Sequence, residues 1–145
     1  MSASISIQAA ADFLRDHDGY LILTHLRPDG DTVGCAAGLC RALRQLGKTA
    51  YILPNHQASS LFTPYFQGLL AGDDFVPDTV VSVDIAARGL FPDNAREYLT
   101  RVDLAIDHHP SQEFFAARTC LDAGRAACGE LMYDILRLLG PVTAD

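Results

Sequence analysis

Four short apolar runs, 20-YLILT-24, 49-TAYIL-53, 79-TVVSVD-84 and 102-VDLAID-107, alternate with segments whose apolar residues recur at helical spacing. This alternation constrains the fold more than any other feature. The run 20-YLILT-24 is apolar on both faces, the mark of a central parallel strand covered on both sides. Ile7, Ala10, Phe13 and Leu14 share one helical face before it. Val33, Ala36, Ala37, Cys40, Leu43 and Leu46 share another after it, in a helix closed by Gly47. Residues 54–78 are mixed, with a short helix expected around Leu61–Leu70 and a Gly-Asp-Asp turn behind it. A further helix is expected between Pro92 and Arg101, an edge strand within 114-FFAARTCLD-122, and a last helix carrying Leu131, Ile135, Leu138 and Leu139. Strand and helix in alternation predict an α/β fold, doubly wound, with a mostly parallel sheet and helices on both faces.

A chain of 145 residues fits one domain, and 49% apolar against 20% charged residues supports one sizeable core. The net charge of −7 argues against a basic nucleic-acid-binding face. It leaves room for an acidic site that holds divalent cations, because a bound ion reverses the local sign. Cys35, Cys40, Cys120 and Cys128 form no CxxC pair, which reads as reduced, buried thiols and a cytoplasmic setting. The first residues lack the basic start and apolar stretch of a signal peptide, and no apolar run is long enough to span a bilayer.

In open parallel sheets, ligands bind beyond the carboxyl ends of the strands. The notable polar residues fall there: His25, Asp29 and Asp31 after the first strand, Asp84 ending the third, and Asp107, His108 and His109 ending the fourth. Each fragment alone has a plain structural role. Asp29-Gly30 makes a turn, Asp31 or Thr32 caps a helix, and Asp107-His108-His109 makes a solvated turn. Their coincidence at successive strand ends is what points to chemistry. Carboxylates crowded together repel and raise one another's pKa values unless cations lie among them. Aspartate and neutral histidine suit divalent ions such as manganese, and a pair of ions bridged by one carboxylate clamps a phosphoryl group for in-line attack. Gly30 and Gly34 permit a tight loop, and a helix beginning near Thr32 aims its anion-favouring N-terminus at the same place.

The set HxxxPDGD, VSVD and DHH resembles the DHH phosphoesterase superfamily from about Tyr20 onward. It is most similar to the branch of bifunctional oligoribonucleases and 3′-phosphoadenosine 5′-phosphate (pAp) phosphatases. The resemblance rests on 107-DHHP-110 and on the helix of 128-CGELMYDILRLLG-140. It implies a metal-dependent hydrolase with two manganese ions, magnesium being the alternative. His25 and Asp29 would hold one ion, and Asp31 and His108 the other. Asp84 would bridge both and orient the attacking water. Asp107 would orient a ligand histidine through its ring N–H, and His109 would lie over the scissile phosphate. The implied partner is a short RNA or DNA oligonucleotide or a nucleotide. No membrane is implied, and a homodimer is compatible with the resemblance.

The match departs from the family in two places. The family's fourth motif, Asp-Thr-Gly, is not reached: the chain ends at 141-PVTAD-145, and Asp145 is not followed by Thr-Gly. Residues 1–145 are therefore expected to be a DHH domain cut before that motif and before a C-terminal substrate-binding domain. Ala126, Ala127 and Cys128 stand where relatives often carry Ser-Ser-Thr, which bears on substrate detail. Arg125 reads as a solvated residue that could instead meet a phosphate. Asn55 or His56 could line the cleft, while His17 reads as a surface residue. Tyr65 and Phe66 read as core. Cyclic dinucleotides and pyrophosphate are the alternative substrates, and a non-catalytic nucleotide- or metal-binding module is the alternative class.

Overall fold

The computed structural model of the chain describes residues 4–57 and 60–140. Asp145, weighed above against the fourth motif, lies outside the described residues. Helix α1 spans Ile7–Asp16, followed by strand β1 (Tyr20–Leu23), helix α2 (Gly30–Gln45) and strand β2 (Ala50–Ile52). Strands β3 (Thr79–Val83), β4 (Leu104–Asp107) and β5 (Arg118–Leu121) precede helix α3 (Cys128–Leu139). The five strands form one sheet in the order β2-β1-β3-β4-β5, and every pairing is parallel. The expected α/β fold with a parallel sheet is thus present.

The strands alternate their side chains between two apolar layers. Ile22, Val81, Val83, Leu104 and Ile106 pack beneath α1, α2 and α3. Leu21, Leu23, Val80 and Ala105 pack on the other side against Phe91, Ala95 and Val102. That second face is covered by a 3₁₀ segment, Asp93–Arg101, where an ordinary helix was expected. The placement follows from chain direction. The β1-to-β2 connection and the β3-to-β4 connection run opposite ways across the sheet, so right-handed crossovers put them on opposite faces. Both sheet edges are shielded: Ser4 bridges Thr119 beside β5, and Leu70 bridges Ile52 beside β2.

Several sequence expectations shift in detail. Helix α2 begins at Gly30, two residues before Thr32, because the Asp29 carboxylate caps it by accepting the Thr32 N–H at 2.9 Å. Gly47 closes it with φ 81°, a left-handed value that suits glycine. The helix expected around Leu61–Leu70 is only a 3₁₀ turn, Thr63–Phe66, started by Pro64. There Phe66 is core, but Tyr65 is 57% exposed, contrary to expectation. The four thiols are free and buried, as expected.

Candidate metal centre

The strand order reverses between β1 and β3, and connections leaving in opposite directions open a crevice at such a switch point. His25 lies just past the end of β1, and Asp84 is the residue after β3. Asp107 ends β4, and His108 and His109 follow it into the same crevice. Asp84 holds a left-handed backbone, φ 61°, which is costly for any residue with a side chain and recurs at functional sites. Its N–H is fixed by the Ile106 carbonyl at 2.9 Å, locking the end of β3 to β4.

Asp84 is 3% exposed, and its two oxygens are treated differently. Oδ2 accepts the Thr32 hydroxyl at 2.7 Å, while Oδ1 is buried without a hydrogen-bond partner. The same Thr32 oxygen lies 2.8 Å from His25 Nε2. His25 Nδ1 sits against the Leu26 carbonyl, which only accepts, so Nδ1 carries the proton and neutral His25 presents a bare Nε2. One hydroxyl hydrogen cannot serve both Asp84 and His25. Asn55 braces this loop by donating to Thr24 Oγ1 at 2.9 Å and to the His25 carbonyl at 2.8 Å. It therefore acts from behind the crevice wall, and His56 lies instead beside Phe75 and Tyr98 in a separate cavity.

His108 shows the same polarity. Its Nδ1 donates to the Arg125 carbonyl at 3.1 Å, which leaves a bare Nε2 3.3 Å from Asp84 Oδ1. Two acceptors thus face each other across a gap that a cation would fill. His109 is held through the same ring nitrogen but by a carboxylate, with Nδ1–H on Asp107 Oδ1 at 2.6 Å. Asp107 is fully buried, and its second oxygen accepts from Gln112 Nε2 at 2.8 Å. The ring that Asp107 orients is therefore His109, whereas the His108 ring is oriented by a backbone carbonyl. Gln112 also donates to the Ile85 carbonyl at 3.0 Å, a supporting role that no sequence signal marks.

The predicted residues gather into two groups of ligand atoms, each mutually within 4.8 Å: His25, Asp29 and Asp84, and Asp84, Asp107, His108 and His109. Asp31 stands apart from both. Its oxygens accept the Cys128 and Gly129 N–H groups, each at 2.9 Å, and Oδ2 is 3.9 Å from His108 Nε2. Arg125 is partly exposed, and its side chain pairs with Asp122 and Asp134 rather than turning toward the crevice histidines.

The electrostatics agree with a cation site. Burial pushes the Asp84 carboxyl above its ordinary value; the Thr32 hydrogen bond opposes this, and the nearby Asp31 and Asp107 charges add to it. Burial would also raise Asp29, but the Thr32 N–H and hydroxyl outweigh it and hold Asp29 low. Burial would lower His109, yet its hydrogen bond to Asp107 and the surrounding carboxylates raise it. The fit to divalent ions rests on three features: the partnerless buried Asp84 Oδ1 with the bare His108 Nε2 facing it, a second bare imidazole nitrogen on His25 3.9 Å from Asp84 Oδ2, and oxygen and nitrogen donors of suitable hardness.

Residues 20–143 match the model of the DHH family, N-terminal domain. The chain belongs to the DHH family. This DHH domain is 30% identical over 137 residues to the bifunctional oligoribonuclease and PAP phosphatase NrnA of Thermus thermophilus, covering 92% of the chain and 41% of that protein. It is 28% identical to the protein of the same description from Mycoplasma pneumoniae, covering 90% of the chain and 43% of that relative. The chain thus spans less than half the length of these relatives. Its fold resembles an exopolyphosphatase-related protein from Bacteroides fragilis, with a TM-score of 0.75, 22% identity, and coverage of 92% and 43% of the two chains. It also resembles exonuclease RecJ bound to manganese, with a TM-score of 0.60, 18% identity, and coverage of 94% and 38%. No helix among the described residues is long and apolar enough to cross a membrane.

Proposed function

We propose that this DHH domain carries the metal centre of a phosphoesterase acting on short oligonucleotides and on pAp, with two manganese ions, or magnesium in their place. The observation that carries the reading is the acceptor pair of Asp84 Oδ1 and His108 Nε2, 3.3 Å apart at the switch point. The oligoribonuclease and phosphatase activities described for the two curated relatives support the substrate class. Because the chain spans under half of those relatives, the activity is proposed for the whole protein.

His25, Asp29 and Asp84 would hold one ion; Asp84, His108 and, after a small shift, Asp31 would hold the other. Bound there, the ions would supply a nucleophile at neutral pH and neutralise phosphate charge. The chain's own residues do the rest. The N-terminus of α2, capped by Asp29, favours a phosphate beside it. Asp107 fixes His109 through Nδ1, so Nε2 is the nitrogen left to meet a phosphate oxygen or a leaving group. Gln112 keeps Asp107 from turning away.

Manganese-dependent phosphate release from pAp and from short oligonucleotides tests the reading, using the full-length protein and its Asp84→Ala variant. Release that disappears in the variant is expected. Undiminished release by Asp84→Ala would overturn the assignment of the centre.

A further inference from the structure

Beside the metal centre lies a slot that the phosphate chemistry does not use. Gly30, Val33 and Gly34 form its floor and Phe62 and Tyr65 its wall, around a cavity of about 240 Å³. Spacings of three and four residues place the floor positions on one face of α2. A 3₁₀ turn has three residues per turn, which brings Phe62 and Tyr65 to one side. Phe66 turns the other way, into the core, at 3% exposed. The wall is anchored: the Tyr65 N–H bonds to the Phe62 carbonyl at 3.0 Å, and Arg41 on α2 donates to the Tyr65 carbonyl at 3.2 Å.

Gly34 supplies an independent observation. It lies inside α2, where glycine costs about 0.5–1 kcal/mol relative to alanine. A Cβ built on it would meet nothing within 4 Å, so packing does not require glycine there. A side chain at this position would occupy the slot. Bare helix backbone opposite an aromatic wall is a surface for a flat ring. The cavity is smaller than the roughly 300–1,000 Å³ that holds a drug-sized ligand, which suits one heterocycle. Its floor begins at Gly30, the first residue of α2, which sets the slot beside the helix N-terminus where a phosphate is favoured.

We propose that this slot takes the nucleobase of the substrate, stacked against Tyr65 and Phe62. The inference rests on the phosphoesterase reading and adds to it the place where the base of the nucleotide is held, and hence a preference over base-free phosphate esters. Stacking is tolerant of base identity, so the slot selects for a base rather than for one base.

The test compares AMP with ribose 5-phosphate by calorimetry on the full-length protein with manganese, beside phosphate release from pAp. AMP should bind roughly tenfold or more tighter, the scale of one stacked base. Tyr65→Ala should remove that preference. Gly34→Ala should raise the melting temperature, as alanine does inside a helix, and still cost AMP binding. Equal binding of the two compounds, or a preference that survives both substitutions, overturns the slot while pAp release keeps the phosphoesterase reading intact. Absence of manganese-dependent release and of binding by either compound overturns both.

Discussion

The Asp31 carboxylate, carried by α2, closes the N-terminus of α3: it accepts the Cys128 and Gly129 N–H groups, each at 2.9 Å. Ala127, at the N-cap of α3, has no side-chain oxygen to do so. One helix thus caps another, and the orientation of a candidate ligand is set by that cap. A Cβ at Gly129 would lie 3.2 Å from Asp31 Oδ1 and would push the carboxylate aside. Gly129→Ala should therefore weaken divalent-ion binding in calorimetry. Its melting temperature should change little, because alanine's helix preference, up to about 1 kcal/mol, offsets the disturbed cap. Ion affinity equal to that of the original protein would show that this cap does not tune Asp31.

Asp84 combines a buried charge with a left-handed backbone that asparagine also tolerates. Without ions, Asp84→Asn should stabilise the fold by about 1 kcal/mol, a rise of roughly 2–4 °C in melting temperature, by removing a poorly solvated charge. The original protein should gain about 2.7 kcal/mol from manganese at a hundredfold excess over Kd, reversed by chelation. The variant should lose most of that gain. Scanning calorimetry with and without manganese reads both effects, and equal gains in the two proteins would contradict the assignment.

Thr32 is fully buried, with its hydroxyl between His25 Nε2 and Asp84 Oδ2. Thr32→Val keeps the shape and removes the hydroxyl hydrogen that buried Asp84 Oδ2 accepts, so urea unfolding without ions should show a loss of about 1–3 kcal/mol. Thr32→Ser should recover most of it. A valine variant as stable as the original would mean that water replaces the hydroxyl.

Asp18 offers a pH test remote from the candidate metal centre. The Gly19 N–H at 2.7 Å and the Thr49 N–H at 2.8 Å hold its carboxyl below the ordinary 3.8; burial opposes them slightly, and Lys48 assists. A depressed folded-state pKa stabilises above the unfolded value and stops doing so as pH falls through the folded value. Asp18→Ala should lower the urea midpoint at neutral pH by a modest amount, since the group is exposed. The gap should close as the solution is acidified well below 3.8. A gap independent of pH would assign the effect to packing.

The sequence by itself determined the parallel α/β sheet, the strand ends and which polar residues the sheet brings to its carboxyl edge. Doubly apolar runs such as 20-YLILT-24 can be stable only between covered faces, and DHH-type spacing after 102-VDLAID-107 delivers side chains to a strand end. The 3₁₀ character of Asp93–Arg101 was not legible, because its apolar spacing does not distinguish the two helix types. Exposure of Tyr65 was not legible either, since a four-residue turn decides which of two adjacent aromatics faces the core. Which carboxylate meets which partner was left to tertiary structure. Asp107 turned to His109 and Gln112, and Asp31 to the N-terminus of α3. Hydrogen bonds of this kind join residues up to 98 positions apart. Their choice depends on which donors the packed helices bring within reach, and local spacing carries no record of that.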